Sequence, residues 1–370
     1  MIKKIALLTL VICSLLIFLG PGAAQAAGGP SVSSSSVQMN FPASLTFNIS
    51  ANSDVNITDI RLHYIVNRMA HARIVSEVYL AFAPSTRVTA QWVWDMRKTG
   101  GMPPGSSLDY WWTVTDAGGK TLETVPAHLQ INDNRYSWRS LTRGQVTLYW
   151  YKGDDSFAGE LMTAIESALT RLAGNTGAEI ETPVSFYIYA SSTDLRGSMI
   201  FAQEWTGGVA FTEYSIIAIG IGTSRSEIDW GKRVVGHELT HLVINQVTSN
   251  PYSGLPTWLD EGLAMVSEGP LDTQFTTALS SARSQSRLIS VRSLASPFSA
   301  YAGESVLAYA QSYEVVKYLI DTYGQPKMFE LLSTFEQGSG YDEALQRVYG
   351  FAMDGLNAKW RASFEGASVK

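Results

Sequence analysis

Cysteine is nearly absent from this chain, with one residue, Cys13, in 370. It sits inside an apolar run at the N-terminus. Beyond that run the chain can form no disulfide, no thiolate metal site and no thiol nucleophile. Histidine is scarce as well. The five present are His63, His71, His128, His237 and His241, so any imidazole chemistry must be built from these. A basic excess is missing too. Lys and Arg number 27 against 33 Asp and Glu, a formal net charge of -6. That excludes the basic stripe with which a general nucleic-acid binder neutralises phosphates. Beyond Leu19 no apolar run approaches the ~20 residues that cross a bilayer. A phosphate-binding Gly-rich loop and the G-x-S-x-G elbow of serine hydrolases are also lacking.

What is present begins with a leader pattern. Lys3 and Lys4 precede the uncharged stretch Ile5 to Leu19, and Ala24-Gln25-Ala26 fits an A-x-A cleavage site. Residues 1–26 therefore read as a signal peptide. The expectation is a secreted or extracytoplasmic protein, with an uncleaved N-terminal membrane anchor as the alternative. Apolar residues make up 45% and aromatics 11%, enough to build hydrophobic cores without cross-links. The length suits two or three domains.

Residues 27–36, small and serine-rich, read as a flexible lead-in. Residues 37–131 carry a β pattern. "ITDIRLHYIV" alternates, "IVSEVYLAFA" and "RVTAQWVWDM" are rich in β-branched and aromatic residues, and Asp116-Ala117-Gly118-Gly119 marks a hairpin. Roughly seven short strands predict an all-β sandwich of immunoglobulin or fibronectin type. Residues 132–144 read as a connector. From 145 to 370 the pattern changes to strands at "QVTLYWYKG", "VSFYIYAS" and "GGVAFTEYSIIAIGIG", with a helix between the first two and helices almost throughout from Ser224. That order predicts an α+β domain with a mostly helical C-terminal half.

The chemistry concentrates in "VVGHELTHLV". A helix places residues four apart on one face, so His237 and His241 can point at one cation, and neutral imidazole is a good zinc ligand. Glu238, one step round the helix, can reach a water on the metal without ligating it. Ser224 and Glu227 fit a capping box at the start of this helix. On an otherwise apolar helix these polar groups need partners, which a metal supplies. A catalytic zinc takes three protein ligands. The other histidines lie in the β region, which leaves a downstream carboxylate. Glu261 in "LPTWLDEGLAMV" lies 20 residues after His241, far enough for a loop and a second helix to bring it alongside. Read alone, it is an exposed helix glutamate. Asp260 points elsewhere on that helix, behind the ligands or into solvent.

"GHELTHLV" followed by "LPTWLDEGLA" resembles the gluzincin metallopeptidases, in particular the peptidase MA-like family, over roughly Gln145 to Phe364. The resemblance implies one zinc per chain on His237, His241 and Glu261, and hydrolysis of peptide bonds by a metal-activated water with Glu238 as general base. It departs from many gluzincins in having Asp260 where they carry asparagine. In such enzymes a tyrosine or histidine stabilises the oxyanion. Tyr309 and Tyr313 are the candidates, with Tyr313 preferred, and either can equally be a packing residue. "WTGGVAFTEYS" resembles the edge strand that holds substrate, with Gly207, Gly208 and Val209 as the contacts, or it is a simple turn. The partner implied is a peptide or protein. The alternatives are an inactive peptidase-like binding protein, or cell-surface or glycan contact through the β domain. For the latter, Trp92, Trp94, Trp111 and Trp112 are a candidate platform.

Overall fold

The computed structural model describes residues 28–203, 206–299 and 302–365. The expected signal peptide lies outside these residues. Among them no helix is long and apolar enough to cross a membrane. The chain divides into two compact units. The first runs to Arg135 and includes Gly197–Ala202; the second holds Tyr136–Arg196 and the chain from Gln203 onward.

The first unit is all β, with strands β1 (Ser31–Asn40), β2 (Ser44–Asn67), β3 (Ser76–Tyr79), β4 (Ser85–Asp95), β5 (Ser107–Asp116), β6 (Thr121–Glu123) and β7 (Ala127–Gln130). Its organiser is β2, 24 residues long. The first part of β2 pairs with β1 on one side and β4 on the other, and the second part with β5 and β3. The register slips between Asn52 and Asp59 in two of these pairings, where the strand passes from one layer to the next. Leu45, Phe47, Ile49 and Ala51 then face Leu108, Tyr110, Trp112 and Val114, all buried. Phe47 meets Tyr110 edge-on at 5.3 Å. The expected hairpin joins β5 to β6. Asp116 accepts from Gly118 and Lys120 amides and from Ser53, and Gly119 takes a φ of 76°, which favours glycine.

The second unit is built on a five-stranded sheet in the order β11-β12-β10-β9-β8. Its elements are β8 (Arg139–Arg143), β9 (Val146–Trp150), α1 (Asp155–Thr176), β10 (Val184–Tyr189), α2 (Ser192–Arg196), β11 (Gly208–Phe211), β12 (Ile216–Gly220), α3 (Arg225–Thr248), α4 (Thr257–Glu268), α5 (Thr273–Ser284), α6 (Ala302–Tyr323), α7 (Gln325–Glu336), α8 (Tyr341–Tyr349) and α9 (Met353–Glu365). The central strands are parallel, and both outer strands run antiparallel to them. Leu148, Phe186, Ile188, Ile217 and Ile219 join α1, α3, α4 and α6 in one apolar core.

Three expectations are corrected. The serine-rich lead-in is not free, because Ser31 to Ser36 already pair with β2. Backbone hydrogen bonds recruit this edge segment, in which Val32 is the one apolar side chain. The connector contributes β8, for the same reason, since Arg139–Arg143 is polar but for Leu141 yet pairs fully with β9. The extended segment after Gly207 is two strands, β11 and β12, folded on each other by a tight turn at Thr212–Tyr214.

Candidate metal centre

α3 starts at the expected box. Ser224 accepts from the Glu227 amide at 3.4 Å while the Glu227 carboxylate accepts from the Ser224 amide at 3.2 Å. Val235, Leu239, Leu242 and Val243 anchor the helix in the core. Gly236 sits where α3 crosses its neighbours. A Cβ there would lie 3.1 Å from the Ala168 Cβ and 3.6 Å from the Ser267 carbonyl oxygen. Its smallness thus serves helix packing.

α4 returns alongside after a loop held by Asn250, whose amide donates to Ser253 and Phe335 carbonyls at 2.9 Å each. It crosses α6 very closely. A Cβ on Gly262 would stand 2.5 Å from the Ser312 carbonyl oxygen, so glycine next to Glu261 permits the approach. His237, His241 and Glu261 converge, each offering one ligand atom within 4.8 Å of the others. The Nε2 atoms of His237 and His241 face Glu261 Oε2 at 3.4 and 3.5 Å. The outward Nδ1 atoms each meet another carboxylate, Glu268 at 2.7 Å behind His237 and Asp260 at 3.1 Å behind His241.

Electrostatics follow from this crowding. Burial opposes charge on His237, but Glu261 and Glu268 outweigh it and carry the imidazole up to about 9. Burial likewise opposes charge on His241, and Asp260 and Glu261 raise it well above its ordinary value. Burial alone would raise the Glu261 carboxyl, yet the two imidazoles hold it well below the carboxylate range. Burial pushes the Glu238 carboxyl up, against the opposing pull of both histidines and the Ala210 amide that donates to it. Glu261 Oε2 is buried and accepts no hydrogen bond. An unsatisfied buried carboxylate oxygen is costly, and a cation between it and two imidazole nitrogens removes the cost. Two imidazoles and one carboxylate are a donor set that catalytic zinc accepts, with a position left open. Carboxylates behind the histidines orient such ligands. The residues fit the metal.

A family model for the peptidase MA superfamily matches residues 163–366, more than half of the chain. The chain belongs to the peptidase MA superfamily. Among solved structures, this superfamily member is similar to an M1 zinc metallopeptidase from Deinococcus radiodurans, at 14% identity over 87% of this chain and 89% of that one, with a TM-score of 0.37. Legionella pneumophila aminopeptidase A, in complex with aspartic acid, is similar at 10% identity over 86% of this chain and 47% of that one, TM-score 0.38. Catalytically inactive OgpA from Akkermansia muciniphila, in complex with an O-glycopeptide, is similar at 6% identity over 29% of each chain, TM-score 0.22. The match thus spans less than a third of OgpA. At these scores the likenesses carry no residue assignment. No curated protein matches the sequence.

In this peptidase MA superfamily chain the two tyrosines part company. Burial, then Glu261 and Glu238, hold the Tyr309 phenol above its ordinary range, and its hydroxyl is directed at Glu261. Tyr313 is raised by burial among Lys317, Glu314 and Asp321 instead. Of the two candidates, Tyr309 is the one whose phenol lies under the influence of the ligand carboxylate. β11 is an edge strand, and no described strand pairs with its outer side. Gly207 accepts from the Gly220 amide at 2.9 Å, so by antiparallel alternation Gly207 and Val209 turn to β12 while Gly208 and Ala210 turn outward. The Ala210 amide serves Glu238. Of the three residues expected to meet substrate, Gly208 alone presents its backbone to the open edge. A Cβ on Gly208 would lie 2.9 Å from Glu238 Oε1, so its glycine makes room for the glutamate.

Glu268 was not foreseen. It follows Glu261 by seven residues, two turns along one face of α4, and that spacing is the signal that could have found it. Arg171 was not foreseen either. From α1 it donates Nε and Nη2 to the Ser267 carbonyl at 2.9 and 2.6 Å, tying down the end of α4 where Glu268 stands. Of the four tryptophans, Trp92 and Trp94 adjoin, 6.0 Å apart, and both pack on Tyr64. Trp94 and Trp112 are core residues, Trp111 stacks on His63, and Trp92 packs against Phe47 and Tyr64.

Proposed function

We propose that this member of the peptidase MA superfamily is an exported zinc-dependent peptidase. The observation that carries the reading is the buried, unsatisfied Glu261 oxygen facing two imidazole nitrogens, with Glu238 one residue along. His237, His241 and Glu261 would hold the ion. When bound, zinc supplies Lewis acidity and lowers the pKa of a water toward neutrality.

The remaining steps belong to the protein. Glu238 accepts the proton of the attacking water and returns it to the leaving amine. Its carboxyl is raised by burial, the direction that lets one group both take and give a proton near neutral pH. The Ala210 amide fixes its orientation. Tyr309 lies close enough to the ligands to donate to the carbonyl oxygen as negative charge develops there. An extended peptide can add to the outer edge of β11, using the Gly208 backbone. Export rests on the leader pattern in residues 1–26; N-terminal sequencing of the protein recovered outside the cytoplasm tests it, with a start near Ala27 expected.

Activity is tested by digesting a mixed peptide library with the mature protein and with Glu238→Gln, zinc being measured on both. The expected result is cleavage by the first only, with one zinc on each. Zinc on both without cleavage by either supports the binding-protein alternative. Absence of zinc from both refutes the site.

A further inference from the structure

A cleft of about 350 Å³ opens beside His241. Its walls are the C-terminal half of α3, the loop that follows, and Thr212 just past β11. His241 and Asp260 belong both to this wall and to the metal centre. The cleft thus adjoins both the metal centre and the end of the edge strand β11. We infer that this cleft is a specificity subsite for a basic side chain, lysine or arginine, of the substrate. The inference rests on the peptidase reading above and adds the substrate class.

The hydrogen-bonding capacity of the wall divides into used and unused groups. Thr248 donates to the Ile244 carbonyl at 2.7 Å, and Asn250 is spent on its own loop. Thr212, Asn245 and Ser253 also line the cleft, and among the described residues their side chains have no protein partner. Asn245 stands one helical turn after His241 on the same face of α3. Asp260 stands with one oxygen 3.1 Å from His241 Nδ1 and keeps its side chain 39% exposed, so its other oxygen is free to accept. The unused set is thus one carboxylate oxygen, one amide and two hydroxyls. No lysine or arginine lines the cleft.

Charge decides among polar side chains. Glu238, Asp260, Glu261 and Glu268 surround the centre, and one divalent cation balances only two of these carboxylates. The surplus is negative and close to the cleft. An acidic side chain would meet Asp260 directly. An aliphatic one would bury the free amide and hydroxyls unpaired, which a site built for hydrogen bonding rejects strongly. A lysine or arginine meets the carboxylate and finds acceptors in Asn245, Thr212 and Ser253. The volume lies at the lower end of ligand pockets, about 300–1,000 Å³, and suits one long side chain.

The test uses matched peptides that differ at one position next to the cut, carrying lysine, arginine, norleucine or glutamate. Two readouts are taken: kcat/KM with the zinc-loaded protein, and binding to the metal-free protein by calorimetry. Wild type should favour lysine or arginine over norleucine by about tenfold or more, as a charge-assisted hydrogen bond predicts, with glutamate last. Asn245→Leu should lower that ratio toward one, and Asn245→Asp should raise it. Equal or better use of norleucine, or a ratio that both variants leave unchanged, overturns the inference while the peptidase reading stands. If no peptide is cut, the peptidase reading fails by itself and the binding series decides. Tighter binding of the lysine peptide supports the subsite, and equal binding of lysine and norleucine peptides refutes it.

Discussion

Replacing Glu268 with alanine isolates the carboxylate behind His237. The bond it removes is short, 2.7 Å to Nδ1, and is made by an ionised acceptor. Hydrogen bonds to charged groups contribute about 1.5–3 kcal/mol. Partners of this kind typically change metal affinity by about 10- to 100-fold. The site is not sealed, because 15% of the His237 side chain and 21% of Glu268 are exposed. Water can therefore take the vacated place on Nδ1, and the loss should fall near the lower figure. Glu268→Gln keeps an acceptor but loses the charge, so it should lie between wild type and alanine. Glu268 is also the last residue of α4, where a negative charge opposes the helix dipole by about 0.3–1 kcal/mol. Its removal should cost the helix end nothing. The assay is competition for zinc against a chelator of known affinity, followed by peptidase activity at saturating zinc. Weakened zinc binding with activity restored to within a few-fold by excess metal is expected. Affinity unchanged in Glu268→Ala, or Gln falling as far as Ala, would refute the argument.

Other substitutions test other joints of the structure. Tyr309→Phe should lower kcat by about 10²-fold with KM little altered, the size expected for loss of one oxyanion donor. Tyr313→Phe should stay within about twofold of wild type, and steady-state kinetics on both checks the assignment. Gly262→Ala places a Cβ 2.5 Å from backbone of α6. Overpacking of that kind costs about 1–3 kcal/mol, so its melting temperature should drop and its zinc affinity weaken together. The Met353 amide and then Arg292 hold the Asp342 carboxyl below its ordinary 3.8. A carboxyl lowered on folding stabilises above its unfolded pKa and stops doing so as pH falls through the folded one. Asp342→Asn should therefore unfold at lower urea than wild type at pH 6, with the two converging as pH drops below about 4.

The helices from Ser224 onward were legible because their signals are local. Ser224 with Glu227, the glycines after helix ends and the apolar spacing all speak within one or two turns of chain. The metal ligands were legible for the same reason, since one helix turn fixes His237 and His241 together. The first half of β1 and all of β8 were not legible, because their residues are mostly polar and a neighbouring backbone makes them strands. The choice between Tyr309 and Tyr313 was not legible either. It depends on which turn of α6 comes to stand beside Glu261, and that is set by Gly262 seating against Ser312 and Val316. Tyr309 and Tyr313 lie four apart on one face of α6 but one turn apart along its axis, and Tyr309 is on the turn held near Glu261. Nothing along α6 itself announces which turn α4 will meet.

β2 has a mechanical consequence for the first unit. One uninterrupted strand supplies the middle of both layers, so neither layer possesses a complete set of pairings without it. Peeling either layer away must break β2 from the other. The unit should open all at once, with amide hydrogens of Phe47 and Leu62 exchanging at a common, slow rate although they lie in different layers. A protease nick anywhere in the strand would release no half that folds alone. Whatever the exposed loops of this unit hold, they are carried on a single stiff beam.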